Sequence, residues 1–125
     1  IEISDILVSI LPSTKKTNNF INKKFLGYMK KKSLLINVGR GSTINENDLI
    51  KHLKKNKYFF ASLDVFKKEP LEKKHPFWKI KNLSITPHIA SLTVISSAVD
   101  YMYKNFERYK KNKFLKNKVD LKKGY

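Results

Sequence analysis

Four apolar runs, most of them closed by a turn residue, divide the first part of the chain. Ile6 to Leu11 is stopped by Pro12, Ser33 to Val38 by Gly39, and Leu83 to Thr86 by Pro87; Phe59 to Val65 lies between the last two. Proline cannot donate to a ladder and glycine breaks one, so each run reads as a strand with a defined end. The runs are nearly continuous rather than alternating. That is the pattern of strands buried on both faces, as in a parallel sheet.

Between the strands the apolar period lengthens to that of a helix. Asn22 is placed to cap a helix with Phe25, Leu26 and Met29 inward. Asn45, with Asp48 three residues later, opens a second whose inner face is Leu49, Ile50 and Leu53 and whose Lys51, Lys54 and Lys55 face outward. After Ser91 a long helix is expected, because Val94 or Ile95, Ala98, Val99, Met102, Phe106 and Tyr109 recur at spacings of three and four. The residues from Lys111 are Lys-rich and sparsely apolar. The order strand, helix, strand, helix, strand, loop, strand predicts an α/β fold with a parallel sheet and right-handed crossovers, followed by a long C-terminal helix. Residues 1–92 form the first part and residues 93–125 the helix and tail.

Composition narrows the class. The 125 residues suffice for one small domain, and a hydrophobic fraction of 41% argues against wholesale disorder. No apolar run reaches the length of a membrane span, and residues 1–10 lack a basic leader, so a cytoplasmic chain is expected with no membrane partner. The absence of cysteine excludes disulfides and thiolate metal sites. The formal charge of +17 invites a nucleic-acid reading. Yet of the 27 basic residues only Arg40 and Arg108 are Arg. Base-edge and phosphate recognition favours the guanidinium fork, so a solvated Lys-rich surface is the simpler reading and no specific nucleic-acid partner is expected. The charge remains suited to attracting small anions.

Three polar residues follow three strand ends. Arg40 lies in Asn37-Val38-Gly39-Arg40-Gly41, Glu69 in Phe66-Lys67-Lys68-Glu69-Pro70-Leu71, and His88 in Thr86-Pro87-His88-Ile89-Ala90. In an open parallel sheet, ligands bind at the carboxyl ends of the strands. Arg can grip a carboxylate with two hydrogen bonds, His can protonate a carbonyl oxygen as hydride reaches carbon, and Glu beside it favours the imidazolium. The set suits reduction of a 2-oxo acid. Taken singly, each has an ordinary reading: Arg40 as a surface turn residue, Glu69 as a loop acid, His88 as a loop or core histidine. Asp64 could cap a loop amide. His52 reads as helix surface, His75 as a loop residue, and Phe77 with Trp78 as a packing anchor rather than a ligand platform.

Together the segments resemble the D-isomer-specific 2-hydroxyacid dehydrogenase family. The matching stretches are Leu11-Pro12-Ser13-Thr14-Lys15-Lys16-Thr17, Ile21-Asn22, Leu35-Ile36-Asn37-Val38-Gly39-Arg40-Gly41, Asp48-Leu49, Leu63-Asp64-Val65-Phe66, Glu69-Pro70-Leu71, His75-Pro76-Phe77-Trp78 and Thr86-Pro87-His88-Ile89-Ala90. The resemblance spans residues 4 to 110 and implies the second half of a Rossmann-like NAD(P)-binding domain. It implies that Arg40 binds the 2-oxo acid, that His88 is acid in reduction and base in oxidation and also contacts substrate, and that Glu69 holds His88. Asp64 would meet the nicotinamide carboxamide, Leu11, Pro12, Val38 and Gly39 would line the cofactor site, and Ala90 would lie near the nicotinamide. Phe77-Trp78 and the ending Val119-Asp120 through Gly124-Tyr125 are similar to the glyoxylate/hydroxypyruvate reductase branch, which implies NADPH ahead of NADH. A homodimeric full-length protein is implied as well, with no metal. Two departures stand out. Lys31-Lys32-Ser33 replaces the family's Pro-Gly turn, for which a looser turn is expected. The four glycines, Gly27, Gly39, Gly41 and Gly124, make no G-x-G-x-x-G pattern. The chain therefore reads as starting midway through a larger fold. Alone it would be inactive or nearly so, and the helix after Thr93 would expose an apolar stripe. A non-catalytic binding module on the same fold is the alternative, and a basic nucleic-acid-associated protein a more distant one.

Overall fold

The computed structural model describes residues 1–124; Tyr125, the last residue of the family-like ending and of the expected tail, lies outside the described residues. The chain divides into two compact units, Ile1–Ala90 and Ser91–Tyr125. The first is a four-stranded parallel sheet in the order β1 (Ile6–Ser9), β2 (Leu34–Asn37), β3 (Phe60–Leu63) and β4 (Leu83–Ile85). Helix α1 (Lys23–Gly27) joins β1 to β2, helix α2 (Glu46–Lys55) joins β2 to β3, and a loop with a 3-10 turn at Pro76–Lys79 joins β3 to β4. All four strands are a residue or more shorter than their apolar runs, because hydrogen bonding in the ladder stops before the apolar character does.

Both helices start where the sequence places their caps. The Asn22 carboxamide oxygen accepts from the N–H groups of Lys24 and Phe25, and that of Asn45 from Asp48. The Asp48 carboxylate accepts from Lys23 N at 2.9 Å, so the first turn of α2 anchors the first turn of α1. Leu26 of α1, Met29 just beyond its end, and Leu49 and Leu53 from α2 share one core with Leu35, Ala61 and Leu63 of the sheet. A fully buried leucine such as Leu49 contributes about 2 kcal/mol of transfer free energy.

The sheet is not buried on both faces, and here the sequence expectation is corrected. Register aligns Leu7, Leu35, Ala61 and Leu83 in one row and Ser9, Asn37, Leu63 and Ile85 in the next, all on the helix-covered face. The opposite face carries Ile6, Leu34 and Phe60, then Val8, Ile36, Ser62 and Ser84. There Ile6 is 60% and Phe60 51% exposed, whereas neighbouring Phe59 is 0%. The reason is that both helices pack against the same side. Continuous apolar runs record a face suited to burial without requiring that these residues supply the cover.

The Lys31-Lys32-Ser33 turn is tied down, since buried Ser33 donates its hydroxyl to Lys30 O at 2.8 Å. His52 is not a surface residue: its ring meets Phe59 edge-on at 4.5 Å and its Nε2 is buried without a hydrogen-bond partner among the described residues. Burial, and then the charge of Lys55, lower its pKa. Of the expected aromatic anchor only Phe77 is buried; Trp78 lies outside the core, its indole N–H donating to Glu72 O at 2.9 Å.

In the second unit, helix α3 (Ile95–Lys110) buries none of its residues. Its polar side binds the tail: Arg108 Nε donates to Phe114 O at 2.6 Å, and Asn105 Oδ1 accepts from Lys116 N at 3.0 Å. Ile95, Val99, Met102, Phe106 and Tyr109 form an exposed apolar stripe. Among the described residues, no helix is long and apolar enough to cross a membrane.

Candidate active site

The row Ser9, Asn37, Leu63, Ile85 ends the strands at one edge. The next residues of each strand therefore leave side by side: Ile10 to Pro12, Val38 to Arg40, Asp64 to Phe66, and Thr86 to His88. Arg40 occupies the second exit. Its carbonyl accepts from Asn37 Nδ2 at 3.2 Å and from Thr43 Oγ1 at 2.6 Å, while Gly39 N donates to Asn37 Oδ1 at 3.2 Å. Asn37 and Thr43 are fully buried, so this polar cluster fixes the turn from within. The Arg40 side chain is exposed, and its Nη1 donates to Gly39 O at 2.8 Å.

Both glycines flanking Arg40 are contact points. A Cβ on Gly39 would fall 2.6 Å from Leu11 O, and one on Gly41 would overlap the backbone of Phe66. The exits of β1, β2 and β3 thus touch backbone to backbone.

Asp64 organises the fourth exit. It is buried, and its carboxylate accepts from the Thr86 hydroxyl, from Ile89 N at 3.0 Å and from Ala90 N at 2.9 Å. Its carbonyl also accepts from His88 N at 2.9 Å. Three successive N–H groups, from His88, Ile89 and Ala90, thus converge on one aspartate, a nest of the kind that holds anions. Burial by itself would raise the Asp64 pKa; the hydrogen bonds of Thr86, Ile89 and Ala90, helped by the charge of His88, outweigh it and hold the carboxyl below the usual range. The same bonds keep His88 at φ 55°, a left-handed conformation that a non-glycine residue avoids unless its surroundings impose it.

Held so, His88 meets Glu69. Its Nδ1 lies 2.8 Å from Glu69 Oε2, while Glu69 Oε1 accepts from Phe66 N at 2.8 Å. The His88 bond and then the Phe66 bond hold the Glu69 carboxyl below the usual glutamate range; burial opposes them, and the charges of His88 and Arg40 add to them. The loop carrying Glu69 is fastened to α2, because Glu46 accepts from Lys67 N at 3.2 Å and lies 3.8 Å from His75 Nε2. His75 in turn accepts from Phe77 N at 3.3 Å through Nδ1.

Arg40, Glu69 and His88 accordingly share one edge, with Leu11, Pro12, Val38 and Gly39 on the neighbouring exits and Ala90 bound to Asp64. Sequence reasoning did not find Asn37, Thr86, Glu46 or the Phe66 amide. Asn37, Glu46 and the Phe66 amide act through bonds to or from backbone atoms, and Thr86 through its hydroxyl on Asp64, none of which residue type and spacing announce. A cleft of about 850 Å³ lies elsewhere, lined by Lys23, Lys31, Lys51, His52, Lys55 and Tyr58. Its residues lead into the starts of β2 and β3, at the opposite edge of the sheet, so it is distinct from the Arg40, Glu69 and His88 grouping.

Residues 1–90 match the model of the D-isomer specific 2-hydroxyacid dehydrogenase NAD binding domain. Over 122 residues the chain is 39% identical to glyoxylate/hydroxypyruvate reductase A of Photorhabdus laumondii, covering 98% of this chain and 39% of that protein. A D-isomer specific 2-hydroxyacid dehydrogenase from Xanthobacter autotrophicus Py2, solved with NADPH and MES, superposes with a TM-score of 0.93 at 34% identity, over 99% of this chain and 51% of that one. The NADPH-dependent glyoxylate/hydroxypyruvate reductase of Sinorhizobium meliloti, solved with NADP and sulfate, gives 0.90 at 30% identity, over 98% of this chain and 40% of that one. The chain thus spans well under two thirds of the length of these relatives. With the parallel sheet and its strand-end residues already described, the match over residues 1–90 establishes that this chain belongs to the D-isomer specific 2-hydroxyacid dehydrogenase family.

Proposed function

We propose that the chain supplies the catalytic edge of a reductase that converts a small 2-oxo acid of the glyoxylate or hydroxypyruvate kind into the 2-hydroxy acid, working as part of a longer polypeptide. The observation that carries this reading is the 2.8 Å contact between His88 Nδ1 and Glu69 Oε2, formed at the same strand edge as Arg40. With Nδ1 committed to Glu69, the other ring nitrogen of His88, which makes no hydrogen bond among the described residues, can serve a substrate. Arg40 would turn its guanidinium from Gly39 O onto the substrate carboxylate and bind it through paired hydrogen bonds. His88 would release its Nε2 proton to the carbonyl oxygen as the carbon gains hydride, and take that proton back in the reverse direction. Glu69 would steady the imidazolium and then the neutral ring that keeps its proton on Nδ1.

NADPH or NADH supplies the hydride when bound. The residues present suit its nicotinamide end. Leu11, Pro12 and Val38 are half-buried apolar groups at adjacent exits, drawn together by the close contact at Gly39. Asp64 retains a lone pair on Oδ2 for a carboxamide N–H, since among the described residues that oxygen accepts only from Ala90. Ala90, held by that bond, would line the same pocket. The pyrophosphate would be held by residues outside this sequence, which has no Gly-rich turn before a helix. Residues 93–125 would return toward a substrate domain, a role supported by the exposed stripe of α3, and the full-length protein would be a homodimer.

The test compares the 125-residue chain with one extended upstream to about 310 residues, a typical size for two domains. The extended chain should oxidise NADPH in the presence of glyoxylate, the short chain should not, and Arg40→Ala or His88→Ala should abolish turnover. Undiminished turnover in both variants would overturn the reading.

A further inference from the structure

We infer that Gly41 is a positioning residue: by admitting the Phe66 backbone against the Arg40 turn, it sets the orientation of Glu69 toward His88. This inference rests on the reductase reading for its catalytic meaning, but its geometry stands apart from it. The chain of contacts has three links. First, a Cβ on Gly41 would overlap the carbonyl carbon, the oxygen and the Cα of Phe66, so no residue but glycine fits without moving the β3 exit. These are backbone atoms, which cannot swing aside as a flexible side chain would. Second, the N–H of that same Phe66 donates to Glu69 Oε1 at 2.8 Å. Third, the remaining oxygen, Oε2, meets His88 Nδ1 at 2.8 Å. Phe66 N–H therefore fixes one carboxylate oxygen and so decides where the other points.

The Arg40 turn cannot yield in compensation. Asn37 and Thr43 hold its carbonyl from below, and Gly39 is pressed against Leu11 on the other side. A methyl group at position 41 must therefore displace Phe66. The loop beyond it is pinned to α2 by Glu46 at Lys67, so the displacement falls on the short span between Phe66 and Glu69. Gly27 provides the contrast, because a Cβ there would meet nothing within 4 Å.

The experiment follows the Glu69 carboxyl by carbon-13 NMR through a pH titration of the 125-residue chain. In Gly41→Ala the Glu69 midpoint should move up toward that of an ordinary glutamate, because the Phe66 hydrogen bond that lowers it is weakened. Gly27→Ala should leave it where it was. A folded Gly41→Ala chain with an unmoved Glu69 midpoint would overturn the inference. If Gly41→Ala does not fold, the unaltered chain decides. Its Phe66 amide proton should titrate with the Glu69 carboxyl and lose that dependence in Glu69→Gln; an amide indifferent to Glu69 ionisation overturns the inference. Because these readouts need no turnover, a failure of the reductase assay with the titrations as expected would count against the function and not against the positioning.

Discussion

His88 stands in a left-handed backbone conformation while its Nδ1 reaches Glu69 Oε2 at 2.8 Å, so the orientation of the imidazole depends on whatever enforces that conformation. What enforces it is Asp64, which binds the Thr86 hydroxyl and the three amides of His88, Ile89 and Ala90. The candidate acid is thus set by two carboxylates with separate tasks. Glu69 contacts the ring and Asp64 shapes the backbone beneath it.

Replacing Asp64 by Asn should cost stability at neutral pH. An amide can accept through one atom only, so one of the bound N–H groups would face a donor. Hydrogen bonds to charged groups are worth roughly 1.5–3 kcal/mol each, and a loss of about 3 kcal/mol is expected in urea unfolding. A loss under about 1 kcal/mol would show that the nest does not hold the segment.

The same aspartate predicts an acid limb. Its folded pKa lies below its unfolded value, so the unfolded state binds more protons as the pH falls. The stability it contributes is complete above the ordinary aspartate range and is lost as pH drops through that range toward the folded value. Asp64→Asn should flatten this part of the profile of melting temperature against pH, and an unchanged acid limb would contradict the assignment.

His52 adds a second pH effect at higher pH. Its pKa is lowered in the fold, chiefly by burial, so protonation favours the unfolded chain. Its contribution is present above the ordinary histidine value and declines as pH falls through that value toward the lower folded one. His52→Phe should remove this decline, which melting curves recorded across the weakly acidic range will reveal or exclude.

Phe59 and Phe60 are adjacent but lie on opposite sides of the sheet. Phe59→Ala removes a ring that is 0% exposed and should cost about 3–5 kcal/mol. Phe60→Ala should cost less than about 1 kcal/mol in this chain, since its ring is already 51% exposed. Equal costs would mean that the outer face is covered after all.

At Arg40, lysine would keep the charge but lose the fork. On the proposed reductase function, Arg40→Lys in the chain extended upstream should lower kcat/KM by about 10–100-fold, the equivalent of one charge-assisted hydrogen bond. Unaltered kcat/KM would remove Arg40 from substrate binding.

The sequence by itself determined the order of strands and helices, the caps at Asn22 and Asn45, and the strand ends from which Arg40, Glu69 and His88 emerge, because period, capping and turn chemistry are local. The family was legible for a related reason: its motifs are short runs whose spacing survives in the chain. Tertiary structure alone decided which side of each strand is covered, that the ring of His52 meets Phe59 edge-on, and that Asp64 binds three consecutive amides. It alone brought Gly41 against Phe66. The Asp64 and Gly41 contacts join residues more than twenty positions apart through backbone atoms common to every residue, so no choice of side chain announces them. A glycine beside an arginine marks a turn in the sequence, and only the neighbouring strand exit gives the reason that nothing larger fits there.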